Sequence, residues 1–104
     1  MPAVFEVLAE PTRRSILDLL TEGDRAAGEI EDALGLSQPS TSKHLRVLRE
    51  SGLVSVRKEA QRRIYRIEPD GLAEVMAWAE RYRRFWRGRL ETLGQYLSER
   101  PIDE

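Results

Sequence analysis

The stretch Ser37-Gln38-Pro39-Ser40-Thr41-Ser42-Lys43-His44-Leu45-Arg46 concentrates short hydroxyls, an amide and two cations in a few turns of chain. A glutamine can pair in bidentate fashion with adenine, and an arginine or lysine with guanine, each worth about 1–3 kcal/mol of discrimination between bases. If the stretch is helical, at ~100° per residue Thr41, Leu45 and Leu48 fall within about 60° of one another and face inward. Pro39, Lys43 and Arg46 then point away, flanked by Ser40 and Ser42, with Gln38 at the helix start, where side chains reach base edges. His44 is expected to hydrogen-bond or pack rather than to ligate a metal. Arg57, Lys58, Arg62 and Arg63 follow shortly after and suit phosphates or a narrow minor groove. A Ser/Gln/Lys face alone is only a solvated face. A glycine turn before it and basic strands behind it point to double-stranded DNA.

Other chemistries find little purchase. Ser40 or Ser42 near His44 gives no nucleophilic system, because neighbours on one exposed helix diverge and no orienting carboxylate is in register. No enzyme activity is expected. The chain has no cysteine, which excludes disulfides, thiolate metal sites and thiol nucleophiles. Glu29, Glu31 and Asp32 sit too close in sequence to converge on a hard cation. Neither a metal nor a cofactor is expected.

The elements that must hold the polar stretch can be read from periodicity and punctuation. A short apolar segment, 4–9, ends at Glu10-Pro11, and Pro11 suits the first turn of a helix carrying Ile16, Leu19 and Leu20 up to a stop at Gly23. Ile30, Ala33 and Leu34 form the face of another short helix closed by Gly35. Ser37 is the expected N-cap of the next helix, which runs to about Ser51-Gly52, so that 28–51 reads as two helices around a turn. The period then becomes two: Val54 and Val56 alternate with Ser55 and Arg57, and beyond a polar turn at Glu59-Ala60-Gln61, Tyr65 and Ile67 alternate with Ile64 and Arg66. The 54–67 segment is thus a hairpin. After Pro69-Asp70-Gly71, helical spacing resumes from Leu72 to Leu97, roughly 38 Å of apolar stripe. That length exceeds what a small domain covers by itself, so a second copy of the chain is the expected cover. The aromatic residues Trp78, Tyr82, Phe85, Trp86 and Tyr96 fit such an interface; a pocket for a small organic effector is the alternative use, for which the sequence gives no support.

With 104 residues, 40% hydrophobic and 34% charged, the chain has the size of one globular domain over 1–104. The 17 basic and 18 acidic residues nearly cancel, yet they are segregated. Residues 1–36 hold 3 basic and 8 acidic side chains, 37–67 hold 8 and 2, and 68–104 hold 6 and 8. The positive block coincides with the two candidate DNA-contacting segments. No apolar run reaches the ~20 residues of a membrane helix, and Met1-Pro2-Ala3-Val4-Phe5-Glu6 lacks a basic leader. A cytoplasmic location without membrane association is expected.

Two short helices around Gly35-Leu36-Ser37, followed by a basic hairpin, resemble a winged helix-turn-helix. The segment from Leu36 to Val54 is similar to the recognition segment of ArsR/SmtB-type bacterial repressors, and Leu8-Ala9-Glu10-Pro11-Thr12-Arg13-Arg14-Ser15-Ile16-Leu17 matches their lead into the second helix. The resemblance implies a mainly α fold with a small β-hairpin, in the order α-α-α-α-β-β-α. It also implies a homodimeric repressor whose first and last helices, 4–9 and 72–97, meet across the two-fold. The dimer residues it suggests are Val4, Phe5, Leu8, Leu72, Val75, Met76, Ala79, Tyr82, Phe85, Trp86 and Leu93. It places Gln38, Pro39, Ser40, Ser42, Lys43, His44, Arg46, Arg57, Lys58, Arg62 and Arg63 against a DNA operator. The family's metal-sensing ligands, Cys pairs on the bracing helix or Asp and His on the last helix, have no thiol and no last-helix histidine to match here. Three positions depart from the pattern: Ala60 stands where such wings commonly carry Gly, Glu31 where the bracing helix is usually small or apolar, and Thr41 where a β-branched apolar residue is common. The second reading of the same features is a winged helix that docks another protein and reads no DNA.

Overall fold

The structure, a computed structural model, describes residues 3–99. The two ends of the expected 1–104 domain, including Met1 and Pro2 of the leader reading, lie outside the described residues. The elements are α1 (Ala3–Leu8), α2 (Pro11–Leu20), β1 (Arg25–Ala26), α3 (Ala27–Leu34), α4 (Gln38–Glu50), β2 (Val54–Glu59), β3 (Arg62–Ile67), a 3₁₀ turn (Pro69–Leu72) and α5 (Ala73–Glu99). Where one domain is expected, the chain divides into two compact units, one ending at Ala73 and the other beginning at Glu74.

In the first unit, the punctuation read from the sequence sets the helix ends. Pro11 opens α2, and the Glu10 carboxylate accepts from the Thr12 amide at 2.9 Å, which caps it. The C-terminal carbonyls of α1 are taken up by the two arginines of α2: Arg13 Nε donates to Val7 O at 2.8 Å and Arg14 Nη1 to Leu8 O at 2.7 Å. Gly35 ends α3 in the left-handed conformation, φ 66°, and Ser37 caps α4 by accepting from the Ser40 amide.

The hairpin is part of a three-stranded antiparallel sheet in the order β1-β3-β2. Arg25 pairs with Tyr65 and Ala26 with Ile64, so β3 is central rather than one arm of a free hairpin. Its neighbours Ile64 and Tyr65, which point to opposite faces, are accordingly both buried. Ile16, Ile30, Leu45, Leu48 and Leu53 form the fully enclosed centre between helices and sheet. Ala33, expected on the inner face of α3, is exposed, and Leu34 and Glu31 are only half-buried; Ile30 alone carries that helix into the core. Thr41 is fully buried, and its hydroxyl donates to Ser37 O at 2.9 Å. The polar substitution at this core position is therefore hydrogen-bonded.

Two residues expected at a subunit contact also have places in the chain's own fold. Val4 is buried in the chain's own core, whereas Phe5 and Leu8 of α1 are part-exposed. Leu72 belongs to the 3₁₀ turn ahead of α5. That turn is seated against the end of α4: Glu68 N donates to Leu53 O at 2.9 Å, and a Cβ on Gly71 would lie 2.5 Å from Gly52 O and 2.9 Å from Leu53 Cα.

The second unit is α5, about 40 Å of helix. Val75 is half-buried and Ala79 exposed. Met76, Tyr82, Phe85, Trp86, Leu90 and Leu93 are each 48–65% exposed in the single chain. Trp78 and Tyr82 pack at 4.8 Å between centroids and Phe85 meets Trp86 edge-on at 5.5 Å. Of the arginines of α5, Arg83 and Arg84 reach Glu80, whereas Arg89 lies over the Phe85 ring at 4.9 Å.

Candidate nucleic-acid interface

The surface of α4 is built from the inside. Thr41, Leu45 and Leu48 are at most 1% exposed and lock one face of the helix onto the body. That leaves Gln38, Pro39, Ser42, Lys43 and Arg46 exposed on the other side, with Ser40 and His44 half-buried at its margins. Pro39 in the first turn fixes φ there, and Ser37 and Thr41 tie the helix start. The expected groove-facing set is thus brought together on one rigid helix. Arg49, exposed in the last turn, adds a third cation that the residue pattern had not singled out.

The wing tip is the two-residue turn Ala60-Gln61 between β2 and β3, closed by the Glu59–Arg62 pair. Ala60, which stands where such wings commonly carry Gly, adopts φ 58°, the region glycine occupies without penalty, so the turn holds a left-handed residue with a Cβ. The four wing cations expected at DNA, Arg57, Lys58, Arg62 and Arg63, are all exposed, as is Arg66 of β3, but they differ in partners. Arg57 Nη1 donates to Asp24 Oδ2 at 2.7 Å and its Nε to Glu59 Oε2 at 3.3 Å. These bonds, Asp24 first and Glu59 second, hold the guanidinium above its ordinary pKa. Arg62 Nη2 lies 3.2 Å from Glu29 Oε1, the same oxygen that accepts from the Ala26 amide at 2.7 Å. No ion pair engages Lys58 or Arg63 among the described residues.

The linear segregation of charge is therefore not a spatial one. Asp24 and Glu29, from the acidic first third of the sequence, return to pair with Arg57 and Arg62 of the wing. They lie 33 residues from the cations they meet, so no local pattern could have disclosed them.

His44 sits where α4 faces α2. Arg13 Nη1 approaches His44 Nδ1 at 3.4 Å, while Arg13 Nε holds the end of α1. Burial, then the adjacent Arg13 charge, lower the imidazole pKa; Glu10 opposes this and Lys43 adds to it. Arg13 is the contact that residue-type reasoning missed. Among the described residues no three His, Cys, Asp or Glu side chains gather where they could hold a metal ion, and no helix is long and apolar enough to cross a membrane. The hollow on α5 lined by Phe85, Gly88, Arg89, Thr92, Leu93 and Tyr96 lies open on the side of one helix.

A buried bracing face, an exposed polar helix and a sheet-borne wing define a winged helix-turn-helix protein. Residues 10–56 match the bacterial regulatory proteins of the arsR family. The chain is 35% identical to the HTH-type transcriptional regulator Rv2034 of Mycobacterium tuberculosis, over 95% of this chain and 90% of that protein. It is 37% identical to the transcriptional repressor SdpR of Bacillus subtilis, over 75% and 87%. Among solved structures it is similar to an ArsR family transcriptional regulator, with TM-score 0.71 and 30% identity over 82% of this chain and 88% of that one. A homodimeric winged helix-turn-helix DNA-binding domain from Mycobacterium bovis gives TM-score 0.64 and 36% identity over 78% and 75%. The chain belongs to the ArsR family of bacterial regulatory proteins.

Proposed function

We propose that this chain is a sequence-specific DNA-binding transcriptional regulator, acting in the cytoplasm as a homodimeric repressor that occludes a near-palindromic operator, and that it is not an enzyme. The observation that carries this reading is the α4 surface. Gln38, Ser42, Lys43 and Arg46 stand outward on a helix whose opposite face is fully buried, so base-edge contacts need no rearrangement of the fold. Ser40 and His44 border the same surface, and Lys58 and Arg63 supply phosphate attraction from the wing, with Arg57 and Arg62 contributing less because carboxylates already engage them.

The homodimer is supported by α5, whose exposed apolar side chains Met76, Tyr82, Phe85, Trp86 and Leu93 exceed what a soluble surface ordinarily leaves uncovered. The homodimeric relative from M. bovis agrees with it. Two copies of α4 related by a two-fold reach successive major grooves about 34 Å apart.

The test is a shift titration with a duplex recovered by the wild-type protein from a random pool. Lys43→Ala and Arg46→Ala are expected to weaken binding to that duplex while leaving the far-ultraviolet circular dichroism unchanged. Binding by both variants equal to that of the wild type would overturn the assignment of α4 as the reading element. An absence of steep salt-dependent DNA binding by the wild type would favour a protein-docking winged helix instead.

A further inference from the structure

Arg13 makes two directed contacts at once: Nε donates to Val7 O at 2.8 Å and Nη1 faces His44 Nδ1 at 3.4 Å. A guanidinium has only donors, so the nitrogen facing it must accept. His44 Nδ1 therefore carries no proton in this contact, and the single proton of the neutral ring resides on Nε2. The ring is neutral near pH 7, because burial and the Arg13 charge both disfavour the imidazolium and outweigh Glu10. His44 borders the exposed Lys43 on α4 and is itself part-exposed. Its remaining polar atom, Nε2, is thus a donor on a residue at the margin of the exposed α4 surface.

We propose that Arg13 is a positioning residue that fixes His44 as the Nε2–H tautomer, leaving Nε2–H to donate a hydrogen bond to a phosphate oxygen of bound DNA. The DNA half of this inference rests on the regulator reading above; the tautomer half stands on the fold alone. Arg13 also joins the end of α1 to the middle of α4 through this one side chain, so the donor is held from outside its own helix.

His44 is the only histidine of the sequence, so its ring nitrogens give a single, unambiguous pair of ¹⁵N signals. The experiment is a long-range ¹H–¹⁵N spectrum of the full chain labelled at histidine, at pH 7.5. The expected result is a bare Nδ1 and a protonated Nε2, and in Arg13→Ala a shift of both signals toward the average of exchanging tautomers. A protonated Nδ1, or a wild-type spectrum already averaged, would overturn the tautomer assignment, and the wild-type spectrum decides this even if Arg13→Ala fails to fold.

The second arm measures binding to a duplex recovered by the wild type from a random pool. A glutamine amide nitrogen reaches where Nε2 sits and an asparagine amide does not. His44→Gln is expected to stay within about threefold of wild type and His44→Asn to lose about a hundredfold, about tenfold for the one hydrogen bond to a charged acceptor lost in each of two subunits. Equal affinities for the two variants would overturn the donor role while leaving the regulator reading intact. Failure to recover any duplex would overturn the regulator reading and leave the tautomer result to stand.

Discussion

Removing wing cations one at a time should separate those that meet DNA from those already occupied. Each phosphate neutralised by a cation adds about 0.9 to the magnitude of the log–log salt slope, so between about 50 and about 200 mM salt one contact changes affinity by about 3.5-fold. Lys58 and Arg63 are exposed and should each contribute close to that full amount in each subunit, so that a substitution carried by both subunits of the dimer counts twice. Arg57 is engaged by Asp24 at 2.7 Å and by Glu59 at 3.3 Å, and must exchange carboxylates for phosphate. Arg57→Ala should accordingly flatten the slope by less than half as much as Lys58→Ala. Asp24→Asn, which removes the nearer carboxylate, should steepen the slope and tighten binding; exposed ion pairs of this kind contribute little to folding, so the fold should survive. The assay is fluorescence anisotropy on one duplex across five salt concentrations. If Arg57→Ala and Lys58→Ala flatten the slope equally, or Asp24→Asn weakens binding, the neutralised-wing reasoning is wrong.

Further outcomes follow from the packing. Gly71→Ala should destabilise the chain by about 1–3 kcal/mol in urea denaturation, because the new Cβ would meet backbone atoms of Gly52 and Leu53 that cannot yield as a flexible side chain does. Ala60→Gly should stabilise it by up to about 1 kcal/mol, the relief of a left-handed alanine less the added freedom of the unfolded chain. The lowered pKa of folded His44 means that the unfolded chain takes up its proton first as pH falls. This part of the stability is present above the unfolded pKa near 6.5 and is lost as pH drops through the folded value. His44→Gln should remove that dependence from a urea-midpoint series between pH 7.5 and 5.5, and an unchanged series would exclude the linkage.

Much of the fold was legible because local signals and tertiary packing agree. Pro11, Gly35 and Ser37 mark helix ends that the structure places within a residue or two, and Thr41, Leu45 and Leu48 turn inward as their spacing requires. What escaped was non-local or too short to show a period. Arg25-Ala26 is two residues long and becomes a strand only by pairing with Tyr65 and Ile64. Beside that pairing the adjacent Ile64 and Tyr65 of β3 are both buried, which alternation alone could not signal. Leu72 continues the apolar spacing of α5, but Pro69 and the close seat of Gly71 draw it into the preceding 3₁₀ turn. In the candidate site, the outward set on α4 was readable from helical geometry, whereas the pairing of Asp24 with Arg57, Glu29 with Arg62 and Arg13 with His44 depends on the fold that brings them together.

The central claim is that α4, held outward and presented in duplicate, reads DNA sequence. Selection from a random duplex pool by the full chain tests it most directly. The account predicts one enriched motif with two inverted half-sites centred about 10–10.5 bp apart, and loss of that enrichment in the Lys43→Ala, Arg46→Ala double variant. A pool that stays random at low salt, or the same motif recovered by the double variant, would contradict it.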